Sequence, residues 1–460
     1  MSVLDTVFKA YDVRGLYGEQ IDEDLAWRIG YASARFLHGE MTGFERGLPM
    51  SNRIVVGRDM RPHSEPLAKA LIEGITASGT GCVDIGMCDT PMVYFAINHL
   101  GTCGGIMVTA SHNPIEYNGF KISGPHAKPV GSESGLTAIR DTAASVARAP
   151  AGASAGGVQA MDLWADYRRH VAPFLKLPRP LKVVVDASNG MGGRMIPALF
   201  SGTALELIPL NFELGKGFAH PPNPMVEVNL GQLKAAVTKH KADVGICLDG
   251  DADRCMFVDE QGRSVRCDLI TALLGRGFLA DNPGAMVVYD LRSSRVVSEE
   301  IRAGGGVPYR CRVGHAFMKK ALADGKAVFG GELSGHFYFR DNFNCDSGAI
   351  VFATMMSVLA AQSRPLSDLI APLKRYCHSG EINFEVADKQ AKLDEIIAAL
   401  PGAKVDHLDG ATCQFDDWWC NVRPSNTEPL LRLTLEARDE KLMKEKLAFL
   451  QTLLGKPVDH

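Results

Sequence analysis

No hydrophobic run in this chain approaches the ~20 residues a membrane-spanning helix needs, so no transmembrane segment is expected. The N-terminus, Met1-Ser-Val-Leu-Asp-Thr6, has neither a basic region nor a long apolar core, so no secretory signal is evident. There is no charge excess: 49 Lys and Arg stand against 53 Asp and Glu, a net charge of −4. That balance gives no pointer to nucleic acid or to an anionic membrane. Any anion site must be built locally. Cysteine is present as 11 residues, an odd count with no Cys-x-x-Cys pair, which reads as buried free thiols in a reducing cytoplasm. No heptad pattern or apolar interface stripe appears, which leaves monomer and dimer equally open.

What is present is the composition of a soluble globular chain, 46% hydrophobic and 22% charged over 460 residues. That length predicts three or four domains. Four short stretches carry chemistry. In Asp249-Gly-Asp-Ala-Asp-Arg254, three carboxylates alternate with small residues. Alternate side chains of an extended loop point the same way, so Asp249, Asp251 and Asp253 can aim hard oxygen ligands at one cation such as Mg²⁺. The apolar run Val244–Leu248 before them reads as a buried strand. The loop then sits at a carboxyl end, where open α/β sheets keep their ligands. The blander reading is an acidic surface turn. Cys247 and Cys255 flank the loop and read as packing residues, because Mg²⁺ prefers oxygen.

The stretch Val108-Thr-Ala-Ser-His-Asn-Pro114 also follows an apolar run and puts Ser111 among Thr109, His112 and Asn113. A serine near a metal can act as a nucleophile or carry a phosphoryl group, although lone serines are mostly structural. Arg423-Pro-Ser-Asn-Thr-Glu-Pro429 gathers Arg423, Ser425, Asn426 and Thr427, a donor density that suits a phosphate dianion. A Pro-bounded polar turn is the plain alternative. Gly330-Gly-Glu-Leu-Ser-Gly-His336 offers Glu332, Ser334 and His336 on a glycine-rich loop, suited to polyol hydroxyls or simply to a turn between strands.

Strand-like and helix-like runs alternate through the first three quarters, which argues for α/β units with crossover helices. The first unit has strands at Ile54–Val56, Val83–Ile85 and Gly105–Val108, with helices over Leu67–Ser78 and from Pro91. The second runs from Leu181–Val185 through a helix near Leu230–His240 to Asp249. The third has Met286–Tyr289, Tyr309–Val313, a helix from His315 and Val328-Phe329. In each, the chemical loop follows the last strand. Ala143–Gly157 reads as a linker or mobile edge. After it the expected divisions are 1–158, 159–259, 260–372 and 373–460. The final segment differs: Cys420–Val422 and Leu431–Leu435 read as half-exposed strands. A closing helix follows, with Met443, Leu447, Leu450 and Leu454 on one face.

Taken together and in this order, with Phe8-Lys-Ala-Tyr-Asp-Val-Arg-Gly15 at the start, the stretches resemble the α-D-phosphohexomutase superfamily, most closely its bacterial phosphomannomutase/phosphoglucomutase branch. The resemblance covers nearly the whole chain. It implies an α/β architecture of three related domains with mixed sheets plus a smaller C-terminal α+β domain around a central cleft, the last domain moving to close it. It implies reversible transfer of a phosphoryl group between O1 and O6 of a hexose through phosphorylated Ser111. The intermediate would be a hexose 1,6-bisphosphate, which also serves as activator, with Mg²⁺ on Asp249, Asp251, Asp253 and the serine. Arg14, Lys121 and His315 match catalytic positions. Glu332, Ser334, Arg423, Ser425, Asn426 and Thr427 match positions that bind sugar phosphates, and Arg292 stands at another. Arg254, beside the charge of the acidic loop, is a further candidate for substrate binding or else a structural ion pair. His336 is a further candidate for substrate or proton. Glu332 and Ser334 would hold the 3- and 4-hydroxyls common to glucose and mannose, which leaves the 2-hydroxyl unread and implies both sugars as substrates. Partners are then small sugar phosphates, in service of nucleotide-sugar and polysaccharide synthesis.

Two positions depart from simple carry-over. Arg292, in Asp290-Leu-Arg292, stands where several relatives carry lysine. It keeps the charge but hardly releases a proton, so phosphate binding is expected there rather than acid/base work. Arg58-Asp59 matches a family motif and is expected to be mainly structural. The rival readings are a phosphoglucosamine mutase, a metal-dependent sugar phosphatase using Ser111, and an inactive sugar-phosphate binder. Ser425-Asn-Thr427 disfavours the first, because that branch tends to carry Ser-Gly-Thr.

Overall fold

The computed structural model describes residues 3–148, 156–425 and 430–458. The chain divides into two compact units, Met1–Val265 with Ser334–Ser367, and Arg266–Leu333 with Asp368–His460. None of the described helices is long and apolar enough to cross a membrane.

The first unit holds two mixed sheets. One has six strands in the order Val13–Leu16, Tyr117–Ser123, Thr102–Val108, Met50–Arg58, Gly81–Met87, Val158–Ala160. The four strands from Thr102–Val108 to Val158–Ala160 pair in parallel, and the first two pair antiparallel. Parallel strands need both faces covered, and the central ones read accordingly: Thr102–Val108 is buried at every position. The helices Glu23–Glu40 and Ser64–Ala77 pack closely. A Cβ on Gly30 would lie 2.1 Å from the Leu71 carbonyl oxygen, and one on Gly74 would lie 1.9 Å from that of Trp27. Only glycine allows that approach.

The second sheet runs Ser264–Val265, Cys255–Asp259, Val244–Leu248, Leu181–Asp186, Leu205–Leu210. Val244–Leu248 is parallel to Leu181–Asp186 and antiparallel to Cys255–Asp259. The chemical loops of this unit therefore do not end their strand sets. The Ser111 loop joins Thr102–Val108 to the antiparallel return strand Tyr117–Ser123, and the acidic loop closes a hairpin. Each mixed sheet carries a return strand that keeps its loop tied at both ends. The unit is completed by the hairpin Phe337–Phe339/Cys345–Asp346 and the helix Gly348–Ala360.

In the second unit Met286–Asp290 lies between Val307–Cys311 and Phe329–Gly331, all parallel. A separate five-stranded sheet is antiparallel throughout, in the order Cys377–Glu385, Leu430–Ala437, Trp418–Pro424, Ala411–Gln414, Lys404–Asp406. Its inner strands are not half-exposed as expected. Trp418–Val422 is fully buried, and in Leu430–Ala437 only Arg432 is partly open. Leu431, Leu433, Leu435, Cys420 and Val422 face the core with Leu450 and Leu454 of the closing helix Glu440–Leu454. The polar positions are also covered, and are paired with one another. Asn421 donates to Thr412 Oγ1 at 3.0 Å, and Trp419 Nε1 donates to Glu436 at 2.9 Å. All 11 cysteines are free thiols, and only Cys377 is not fully buried.

Candidate active site

Just beyond its buried strand, Ser111 turns into the left-handed region with φ 50°, which non-glycine residues adopt seldom. A buried clamp holds it there. Arg61 donates to the carbonyl oxygens of Ser111 at 3.0 Å, Asn113 at 2.7 Å and Tyr117 at 3.1 Å, and also to that of Pro114. Asp59 pairs with Arg61 at 3.1 Å and accepts from Thr109 Oγ1 at 2.7 Å. Thr109 Oγ1 accepts the Ser111 N–H at 2.9 Å. Asp59 is therefore structural, but its task is to fix the serine. Arg58 makes long ion pairs, 3.7 Å to Asp84 and 3.8 Å to Glu65.

The Ser111 hydroxyl is 2% exposed as a residue and donates to Asp249 Oδ2 at 3.0 Å. The two loops touch through Gly250, where an added Cβ would lie 2.3 Å from the Ser111 carbonyl oxygen. Asp249, Asp251 and Asp253 are all buried, and one oxygen from each lies within 4.8 Å of the others. Lys121, from the return strand, bridges two of them, at 2.7 Å from Asp251 Oδ2 and 2.6 Å from Asp253 Oδ2. Burial alone would lower this lysine, but Asp251 and Asp253 hold it above its ordinary value. Burial, then repulsion from Asp253 and Asp251, pushes the Asp249 carboxyl up. Asp253 is held down against burial by Lys121 and then His336.

One atom tests whether a cation fits. Asp251 Oδ1 is buried and has no hydrogen-bond partner. Leaving a buried carboxylate oxygen bare is costly, and a hard cation taking oxygen ligands removes that cost. Two buried donors, Arg254 Nε and Arg14 Nε, have no hydrogen-bond partner among the described residues either. Arg254 lies 3.7 Å from Asp249, and Arg14 Nη1 donates to Asn113 at 2.6 Å. A phosphoryl group on Ser111 suits such donors. His112 Nδ1 is 3.3 Å from Ser111 Oγ, and burial, then Arg254 and Arg14, hold its ring well below its usual value. His336 stands at the acidic loop, with Nε2 3.4 Å from Asp253 and Nδ1 3.0 Å from Ser334 Oγ. Asp346, with His336 and Asp253, completes a second tight group of ligand atoms.

The second unit gathers the opposite charge. Glu381 accepts from Arg423 at 2.6 Å, Arg432 at 3.2 Å and Arg292 at 3.4 Å. Burial opposes its charge, but these arginines bring it down to about 2. Arg292 also pairs with Asp290 at 2.7 Å and lies 4.0 Å from Glu332. Glu332 accepts the N–H of Gly314 at 3.0 Å, immediately before the helix His315–Gly325. Arg423 Nε and Arg292 Nε are buried donors without hydrogen-bond partners among the described residues. The Ser425 N–H is taken by Leu430 at 2.8 Å. Asn426 and Thr427 lie outside the described residues.

Within the first unit the structure brings together Ser111, Lys121, Asp249, Asp251, Asp253, Arg254, Ser334 and His336, with Arg14 on Asn113. Within the second it brings together Arg292, Glu332 and Arg423, with His315 next to the Glu332 contact. Sequence reasoning missed Thr90, Arg61, Glu381 and Asp346. Glu381 had a weak signal: it alternates with Asn383 and Glu385 on one side of a strand, a pattern too common to single it out.

Four family models match in succession, each described as phosphoglucomutase/phosphomannomutase: alpha/beta/alpha domain I over residues 5–148, domain II over 165–262, domain III over 267–376, and the C-terminal domain over 381–450. A phosphohexose mutase of Xanthomonas campestris pv. campestris is 39% identical, with 95% of this chain and 96% of that protein covered. The phosphomannomutase of Escherichia coli K12 is 37% identical, covering 98% and 99%. Among solved structures, a phosphoglucomutase/phosphomannomutase family protein from Burkholderia thailandensis superposes with a TM-score of 0.88 at 29% identity, over 100% of this chain and 99% of that one.

Proposed function

The chain belongs to the phosphoglucomutase/phosphomannomutase family, whose members are hexose-phosphate mutases, and from that premise we propose that it moves the phosphoryl group through Ser111. The observation that carries this reading is the Ser111 hydroxyl on Asp249 at 3.0 Å, inside a buried triad of aspartates. In the working enzyme Ser111 carries a phosphoryl group. Its O–P bond breaks as a new P–O bond forms to O1 or O6 of a hexose phosphate, and the sugar hydroxyl gives up its proton. The resulting hexose 1,6-bisphosphate turns over and returns its other phosphoryl group to the serine.

Asp249, Asp251 and Asp253 would hold Mg²⁺ together with an oxygen of the Ser111 group. When bound, the ion offsets negative charge on the transferring phosphoryl oxygens. Lys121 sets a cation beside the leaving serine oxygen, and Arg254 and Arg14 aim donors at the same group. The proton acceptor is His336 or His315. Arg423, with Ser425, Asn426 and Thr427, holds the phosphate that is not reacting, and Arg292 assists it. Glu332 and Ser334 hold the 3- and 4-hydroxyls, so glucose and mannose are both accepted. The enzyme works in the cytoplasm on free sugar phosphates.

The test supplies Mg²⁺, catalytic hexose 1,6-bisphosphate and one of three substrates: glucose 1-phosphate, mannose 1-phosphate or glucosamine 1-phosphate. Formation of the 6-phosphate and of free phosphate is followed in each. Comparable conversion of the first two with little free phosphate is expected. Preference for the amino sugar would place the enzyme on the phosphoglucosamine branch. Free phosphate without isomerisation would make Ser111 a hydrolytic nucleophile.

A further inference from the structure

We propose that Thr90 is the positioning residue of the cation site, an inference that rests on the reading of Asp249, Asp251 and Asp253 as ligands. Thr90 opens the helix Thr90–Leu100 and is fully buried. It grips Asp251 twice, across 161 residues of sequence. Its hydroxyl donates to Asp251 Oδ2 at 2.5 Å, and its N–H donates to the Asp251 main-chain oxygen at 3.0 Å. One contact places the backbone of the loop. The other sets the rotation of the carboxylate.

The division of labour between the two carboxylate oxygens is the point. Oδ2 takes the Thr90 hydroxyl and, at 2.7 Å, the Lys121 ammonium. Oδ1 takes no hydrogen bond and is buried. A carboxylate pinned through one oxygen presents the other in a set direction. Ligand carboxylates depend on hydrogen bonds of this kind from outside the coordination sphere. The ordinary function of a residue at a helix start does not account for Thr90. The preceding Asp89 makes no side-chain cap and instead accepts from the Tyr167 hydroxyl at 3.0 Å. The donors of Thr90 go to the acidic loop rather than to its own helix.

The experiment titrates Mg²⁺ into protein stripped with EDTA and reads the dissociation constant by calorimetry, independently of turnover. Wild type, Thr90→Val, Thr90→Ser and Asp251→Asn are compared, each checked for native circular dichroism. Valine keeps the shape and the N–H but removes the hydroxyl. About 10- to 100-fold weaker binding is expected for Thr90→Val, with Thr90→Ser within a few-fold of wild type. If Thr90→Val does not fold, Thr90→Ala takes its place in the same comparison. Wild-type affinity in the valine or alanine variant, or equal loss in the serine variant, overturns the function of Thr90 while leaving the cation site standing. Absence of Mg²⁺ binding by wild type, or its persistence in Asp251→Asn, overturns the site itself.

Discussion

The two units solve opposite electrostatic problems with the same device. In the first, Asp251 and Asp253 of a three-aspartate cluster share one lysine, and among the described residues Asp251 Oδ1, an acceptor, has no hydrogen-bond partner. In the second, three arginines close around one glutamate, and the bare atoms are donors, Arg292 Nε and Arg423 Nε. A buried polar group without a partner costs free energy. Where several such groups of one kind gather, the missing ligand is the one that offsets them. The sign differs between the units, and the proposed ligands follow it, a cation for the first and an anion for the second. The first unit also carries bare donors on Arg14 and Arg254, which is what a site needs if its serine carries phosphate next to a cation.

Ser111→Ala should lower kcat/KM by about 10⁴-fold or more in a coupled isomerisation assay, because a covalent step disappears. Mg²⁺ binding should survive it, since the aspartates stay. Mutase activity within tenfold of wild type would remove Ser111 from the reaction.

Next comes Glu381, the counterpart of Lys121. Its folded value of about 2 lies below the ordinary 4.5. The stabilisation is therefore complete above pH 4.5 and is lost as pH falls from there towards 2. The gap amounts to about 3 kcal/mol. Urea unfolding of Glu381→Gln between pH 7 and pH 3 should show a lower stability at pH 7 and a shallower fall towards acid. A variant with the wild-type slope would show that the three arginines do not depend on this carboxylate.

A smaller effect is expected for Arg423→Lys. Charge is kept but the planar fork is lost, and a charge-assisted hydrogen bond is worth about 1.5–3 kcal/mol. The kcat/KM for glucose 1-phosphate should fall about 10- to 100-fold. The smallest effect tests the sugar: mannose 1-phosphate and glucose 1-phosphate should differ by less than about tenfold in kcat/KM, since no proposed contact reads the 2-hydroxyl, whereas a site built to bind it would discriminate far more strongly.

Much of the first unit can be read in the linear chain because its ligands follow apolar runs directly. Val244–Leu248 announces the acidic loop, and Gly105–Val108 announces Ser111. Lys121 is visible only through family resemblance. Thr90 is not visible at all, because its partner lies far along the chain and a lone Thr near a helix start is common; Arg61 stands in the Gly57–Arg61 stretch, but nothing local tells that it holds the carbonyl oxygens of the Ser111 turn. The return strands were missed for a related reason: Tyr117–Ser123 and Cys255–Asp259 look like continuations until their antiparallel pairing is seen. In the last sheet, alternation correctly marks a polar side for Asn421, Thr434 and Glu436. It carries no information on whether that side is covered, and here it is.

The Arg61 clamp has a consequence for which partner moves. Four carbonyl oxygens of the Ser111 turn are anchored on one guanidinium, and Gly250 seats the acidic loop directly on that turn. These contacts tie the backbone of the Ser111 turn on two sides. On the proposed reading of Ser111, any change of orientation between the two halves of the reaction falls to the ligand, which must be loosened partway through a cycle without escaping.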